Sequence, residues 1–228
     1  MNATLLPTEV LTYDADRYDF RALIAGYLGR EDLDRLLADY PETTDRAGNS
    51  LYKNMEASPH FRRLYAALDG PEGKTFYDLY HRFVREVIRP QYDGAIYYQA
   101  RPSHRLLFAD TPGQSRFHRD GDYGHDPGEV NYLLPQTRAY GHNAMWIESA
   151  VGREDYRPLE LEVGEYGRFK GVHLSHGALG NDTGRSRVSF DFRVIPADVA
   201  PERYRRGPSP GKDGNPVMDN AMSFVLCP

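Results

Sequence analysis

Two rhythms of apolar residues divide this chain near residue 94. Before that point they recur every three or four positions, the spacing that gathers side chains on one face of a helix. Leu23, Ile24, Tyr27 and Leu28 form one such face before Gly29; Leu33, Leu36, Leu37 and Tyr40 form a second before Pro41. The strongest stripe is Phe76, Leu79, Tyr80, Phe83, Val84, Val87 and Ile88. It follows Thr75-x-x-Asp78, which resembles a capping box with Asp in place of Glu, and Pro90 ends it. A stripe this wide needs a sheet or another helix to cover it.

From Ala95 the segments shorten and turn residues separate them. Ile96–Gln99, Arg105–Ala109, Arg116–Asp120, Val130–Leu134, Ala144–Glu148, Leu159–Val163, Gly171–Leu174 and Arg187–Ile195 read as strands, divided by turns such as Thr111-Pro112-Gly113 and Asp126-Pro127-Gly128. Short strands at close spacing predict a mainly β fold with flanking helices. The expected architecture is a double-sheet jelly roll (a double-stranded β-helix) over residues 95–196, with helices from residues 1–94 on one sheet's outer face. In Arg187–Ile195 the alternation is strict: Val188, Phe190, Phe192 and Val194 on one face, Arg187, Ser189, Asp191 and Arg193 on the other. An interior lined by Arg, Ser and Asp makes sense around a polar ligand or a metal. Residues 197–228 differ: Glu202–Gly214 reads as a mobile flap or arm, and the apolar end, Met222–Leu226, as a segment that docks on the body or on a second copy of the chain in a homodimer.

At 228 residues the chain suits one decorated domain. Its 28 basic and 33 acidic residues give a formal charge of −5, which argues against a general nucleic-acid binder. No apolar run reaches the ~18 residues of a membrane span, and Met1–Pro7 lacks the features of a secretory signal, so a cytoplasmic protein is expected. The single cysteine, Cys227, forms no internal disulfide. The 17 tyrosines suit the wall of a polar pocket and equally suit ordinary half-buried packing.

Candidate chemistry centres on Phe117-His118-Arg119-Asp120. On a strand, residues i and i+2 share a face, so His118 and Asp120 point inward together. His-x-Asp alone is weak, since about one occurrence arises by chance in a chain of this composition. The conjunction is stronger: a second histidine, His176, lies well downstream, and Arg187-Val188-Ser189 follows on the next strand. Two neutral imidazoles and one carboxylate occupy one face of iron(II) and leave three cis positions open, the ligand set of non-haem iron oxygenases. His173 competes with His176 for the distal position; His125 and His142 sit in glycine-flanked loops and read as solvated. 2-Oxoglutarate would fill two open positions and O2 the third. Arg187 would grip its C5 carboxylate in bidentate fashion, aided by Ser189. Since Asp120 stands where iron halogenases carry a small residue, hydroxylation, desaturation or cyclisation is expected rather than halogenation.

These segments resemble a known family. His118-Arg119-Asp120, Tyr123-Gly124-His125, Glu129-Val130-Asn131, Leu134-Pro135, Asn143, Trp146-Ile147-Glu148-Ser149, Leu174-Ser175-His176-Gly177 and Asn181-x-Thr183-Gly184-x-x-Arg187-Val188-Ser189 are similar to the StrG-type branch of the 2-oxoglutarate/iron(II) oxygenases, over about residues 95 to 196. More loosely they resemble the phytanoyl-CoA hydroxylase superfamily. The resemblance implies a jelly-roll oxygenase acting on a small polar metabolite, a sugar or aminocyclitol in aminoglycoside-type antibiotic biosynthesis, by hydroxylation or by ring closure such as orthoester formation. Asn131 becomes a candidate for the C1 carboxylate of 2-oxoglutarate. Tyr123, Trp146, Glu148, Asn143, Tyr98 and Gln99 become candidates for the substrate wall. Two alternatives stay open: a hydroxylase of an amino acid or nucleotide, and a cupin-like metal- or sugar-binding module without turnover. An oxoglutarate clamp at Arg187 and Ser189 counts against the second.

Overall fold

The computed structural model describes residues 7–36, 58–111, 115–205 and 223–228. Eleven strands and four α-helices are described. In chain order they are β1 (Glu9–Thr12), α1 (Phe20–Leu28), α2 (Pro59–Asp69), α3 (Gly73–Phe83), β2 (Ile96–Gln99), β3 (Ser103–Leu107), β4 (Ser115–His118), β5 (Val130–Pro135), β6 (Met145–Ile147), β7 (Arg157–Leu159), β8 (Glu165–Phe169), β9 (His176–Ala178), β10 (Arg187–Pro196), α4 (Glu202–Arg205) and β11 (Phe224–Cys227). A seven-stranded sheet runs β1-β8-β5-β10-β2-β11, with β3 also paired to β10, and a four-stranded sheet runs β4-β9-β6-β7. This is the two-sheet jelly roll that the alternation predicts, with all strand pairs antiparallel.

β10 organises the molecule. Its apolar face meets the helical layer: the Phe190 ring lies 5.0 Å from Phe20 and 5.6 Å from Phe76, and Phe192 lies 5.3 Å from both Tyr80 and Tyr132. The stripe of α3 and the turn after it, Phe76, Tyr80, Phe83, Val84 and Ile88, is fully buried against this face. The other face of β10 turns toward the four-stranded sheet. There a smaller apolar cluster of Leu133, Ile147, Leu159, Phe169 and Leu174 fills one end of the space between the sheets and leaves the other to polar side chains.

Local details depart from the sequence reading. α3 begins at Gly73, so Thr75 lies inside the helix; its last turn widens into a π-turn over Val84–Ile88 before Pro90 interrupts the backbone bonding. The described part of the second predicted helix is a 3-10 turn at Leu33–Arg35; Leu37 and Tyr40 lie outside the described residues. Gly171–Leu174 is a turn rather than a strand, and the next strand starts at His176. The predicted strand Leu159–Val163 is divided: β7 ends at Leu159, Gly164 turns the chain with φ +93°, and β8 follows. Gly167 hides β8 from sequence reading, because a glycine inside a strand normally weakens it. Here it admits the Leu159 side chain, which a Cβ would meet at 2.6 Å. Of the predicted arm, Glu202–Arg205 is a short helix and residues 206–214 lie outside the described residues. The apolar C-terminal segment docks on its own body, pairing with β2 from Phe224 opposite Gln99 to Cys227 opposite Ile96.

Candidate metal and cosubstrate site

β4 and β9 pair with His118 directly opposite His176, which sets two imidazoles side by side in the inter-sheet space, ring centroids 4.7 Å apart. Asp120 is not on β4, as the strand reading has it, but opens a 3-10 turn just beyond, where its N–H donates to the carbonyl of Gly171 at 2.9 Å. The turn still aims its carboxylate between the rings. Nε2 of His118 and Nε2 of His176 each lie 3.7 Å from Asp120 Oδ1, a span that two metal–ligand bonds of about 2.1 Å can bridge. Among the described residues this is the one group of three His, Cys, Asp or Glu side chains converging at metal-binding distance. His173 is not part of it.

The supporting hydrogen bonds fix which atoms face the centre. His118 Nδ1–H donates to the carbonyl of Arg116 at 2.7 Å and His176 Nδ1–H to that of Leu174 at 2.9 Å. A carbonyl only accepts, so both rings carry their proton on Nδ1 and present the Nε2 lone pair. Burial of His176 lowers its pKa against the attraction of Asp120, which favours the neutral, metal-binding form. Asp120 Oδ2 is saturated by Arg193 Nε at 3.0 Å, Arg193 Nη2 at 2.9 Å and Asn131 Nδ2 at 2.7 Å. Burial pushes its pKa up, but Arg193 foremost, then His176 and Asn131, hold the carboxyl well below the usual range. With Oδ2 committed, Asp120 offers one oxygen to an ion.

Deeper in the interior, Arg187 and Ser189 occupy successive inward positions on β10, both buried. Among the described residues, Nε and Nη1 of Arg187 and Oγ of Ser189 have no hydrogen-bond partner. The nearby carboxylate, Asp191, is taken by Arg105, whose Nε donates to Oδ1 at 2.8 Å. Burial and repulsion from Arg105 lower Arg187 to about 10, so it remains a cation at neutral pH. A buried, charged and unpaired guanidinium beside an unpaired hydroxyl is a cradle for an incoming carboxylate, since leaving such groups unsatisfied is costly.

The other candidates divide. Asn131 lies beside the triad, but its amide is already engaged: Nδ2 on Asp120, Oδ1 on the N–H of Gly171 at 3.2 Å. Gln99 also faces inward, its Oε1 accepting the backbone N–H of Arg193 at 2.7 Å. Tyr123 is 73 % exposed, its ring 5.4 Å from that of His118 at the rim of the site. Four expected wall residues lie elsewhere. Tyr98 points to the helical side, its hydroxyl 2.8 Å from His81 Nδ1. Asn143 is buried as a turn anchor, accepting from Tyr140 N–H at 2.7 Å. Trp146 is on the face of β6 opposite to Ile147, which fills the inter-sheet core, and its Nε1 donates to Gly141 at 3.0 Å. The Glu148 carboxylate is committed to backbone, accepting the N–H groups of Ser175 at 2.7 Å and Glu154 at 3.1 Å, which ties down the approach to His176.

The sequence reading gave no site role to Arg193, Glu129, His125 or Tyr204. Alternation already set Arg193 inside, and a buried arginine demands a carboxylate; that demand was the available signal. His125 is not solvated but paired with Glu129 Oε2 at 2.9 Å.

Among known proteins, the chain is 36 % identical over 186 residues to the streptomycin biosynthesis protein StrG of Streptomyces griseus, covering 82 % of this chain and 83 % of that one. No family model matches it. Similar solved structures include the non-heme monooxygenase ThoJ in its apo form (13 % identity, 92 % of this chain and 81 % of that one, TM-score 0.49). Another is CytC3 with Fe(II) and alpha-ketoglutarate (17 % identity, 91 % and 78 %, TM-score 0.48). No helix among the described residues is long and apolar enough to cross a membrane.

Proposed function

The chain belongs to the family of the streptomycin biosynthesis protein StrG, and on that premise we propose that it is a non-haem iron(II)/2-oxoglutarate-dependent oxygenase of antibiotic biosynthesis. Its substrate in this reading is a small polar metabolite, a sugar or aminocyclitol intermediate, altered by hydroxylation or by oxidative ring closure such as orthoester formation. One observation carries the reading: a His118–Asp120–His176 triad shares an interior with an unpaired, buried Arg187 and Ser189. A simple metal-binding module has no use for that unpaired cation, whereas a dicarboxylic cosubstrate requires one.

Each residue's part follows from its surroundings. His118 and His176 give their Nε2 lone pairs, and Asp120 gives Oδ1 alone because Arg193 and Asn131 hold Oδ2. Iron held by these three residues would, with 2-oxoglutarate and O2, supply oxidative decarboxylation to succinate and carbon dioxide together with oxidation of a substrate C–H bond. Arg187 and Ser189 hold the far carboxylate and thereby fix which end of the cosubstrate faces the metal. Asp120 fills the position that a halide would need. Tyr123 offers an exposed ring face at the rim, suited to the apolar face of a sugar ring.

The test is anaerobic loading with iron(II) and 2-oxoglutarate, then oxygen, against a panel of aminoglycoside intermediates read by mass spectrometry. Succinate together with a product gaining one oxygen or losing two hydrogens supports the proposal. Asp120→Ala and His118→Ala should abolish succinate formation. Absence of both cosubstrate binding and succinate in the wild type would overturn it.

A further inference from the structure

Behind the metal site sits a buried carboxylate that belongs to neither the ligand triad nor the cosubstrate cradle. Glu129, 0 % exposed, immediately precedes β5. Its Oε2 accepts from His125 Nδ1 at 2.9 Å and lies 3.6 Å from Arg193 Nε. Its Oε1 accepts the N–H of Asp126 at 3.2 Å and the hydroxyl of Tyr204. Arg193 is therefore held between two carboxylates, Glu129 and the metal-binding Asp120. Tyr204 belongs to α4, and its ring packs 4.3 Å from Phe224 of β11 in a small apolar cluster with Ile195 and Ala200. A continuous set of contacts thus runs from the C-terminal strand through Tyr204, Glu129 and Arg193 to Asp120.

Charge gives this path a consequence. Asp120, Glu129 and Arg193 together carry one net negative charge, which a divalent ion converts to one positive. Without Glu129 the same buried cluster would start neutral and end with two, a much less favourable burial. Glu129 Oε2 also lies against Arg193 Nε, the same nitrogen that donates to Asp120 Oδ2, so it bears on how that guanidinium sits. We propose that Glu129 is a positioning residue for the metal-binding carboxylate, acting through Arg193, and that Tyr204 joins the docked C-terminal segment to the same unit. Metal binding and docking of Tyr204 and β11 are then coupled in both directions, as linkage requires. The proposal rests on the reading that the triad holds a divalent ion.

The experiment pairs cobalt(II) titration, followed by visible absorption, with hydrogen exchange at the amides of Tyr204 and Phe224–Cys227, with and without cobalt. Glu129→Gln should weaken cobalt binding by about 10–100-fold, the usual effect of removing a supporting partner. Tyr204→Phe keeps the ring packing on Phe224 and should weaken it by roughly 3–10-fold, less than the whole worth of a hydrogen bond to a charged group because only the coupled part reaches the metal. Cobalt should slow exchange at the C-terminal amides of the wild type, and Tyr204→Phe should reduce that slowing by the factor it loses in affinity. Tyr204→Phe with wild-type cobalt affinity and altered thermal stability alone would overturn the coupling, as would C-terminal exchange indifferent to cobalt in the wild type. If Glu129→Gln does not fold, Tyr204→Phe decides. A wild type that binds no cobalt fails at the earlier step, the metal reading itself.

Discussion

Replacing Arg187 with methionine should make the ligand-free protein more stable and the cosubstrate complex much weaker. Arg187 Nε and Nη1 are buried without partners among the described residues, and each unsatisfied buried donor costs about 1–3 kcal/mol. Methionine keeps much of the stem and removes those donors and the buried charge. Allowing for imperfect packing of the shorter tip, a gain of about 1–3 kcal/mol is expected, worth roughly 2–4 °C in Tm per kcal/mol for a domain of this size. The opposite change falls on 2-oxoglutarate: losing one partner of a buried charged pair costs about 2–5 kcal/mol, or roughly 30-fold to several thousand-fold in affinity. The assay is thermal unfolding with a redox-inert divalent ion, with and without 2-oxoglutarate. At a hundred times its Kd the cosubstrate should stabilise the wild type by about 2.7 kcal/mol and Arg187→Met hardly at all. A variant less stable without ligand, or one keeping the wild-type shift, would refute the idea that Arg187 stands unpaired to receive a carboxylate.

Three further outcomes follow from packing and charge. His104 is buried among Phe76, Tyr65 and Phe190, neither ring nitrogen has a partner among the described residues, and burial lowers its pKa to about 3. The unfolded chain takes up this proton below about 6.5 and the folded chain does not, so stability falls as pH falls from 6.5 toward 3. His104→Leu should therefore lose about 2 kcal/mol less than the wild type between pH 7 and pH 5 in denaturant titrations; parallel profiles would contradict this. Phe190→Ala, at the centre of the helix–sheet contact, should cost about 3–5 kcal/mol by the same measurement. Tyr123→Ala should raise KM for a sugar substrate by about 2–12-fold, from ~0.5–1.5 kcal/mol of lost ring contact, while substrate-free succinate formation stays unchanged.

Much of the metal site was legible because its information is local or periodic. The alternation in Arg187–Ile195 separated the helix-facing aromatics from the inward Arg187 and Ser189, and the short His118-x-Asp120 spacing survived the replacement of strand by turn at Asp120. What sequence reading missed depends on partners far along the chain. Glu129 and Tyr204 are 75 residues apart, and nothing in either segment announces the other. Trp146 and Glu148 looked like wall residues because aromatic and acidic side chains suit a sugar; strand direction and the backbone N–H groups around Glu148 use them otherwise. β8 escaped because Gly167 breaks its apolar pattern, for a packing reason visible only once Leu159 is in place.

The most direct measurement is anaerobic visible absorption on adding iron(II) and then 2-oxoglutarate. The wild type should develop the metal-to-ligand charge-transfer band of a chelated 2-oxo acid. His176→Ala and Asp120→Ala should not, and Arg187→Met should require far more cosubstrate to reach it. No band in the wild type, or an unchanged band in Asp120→Ala, would contradict the account.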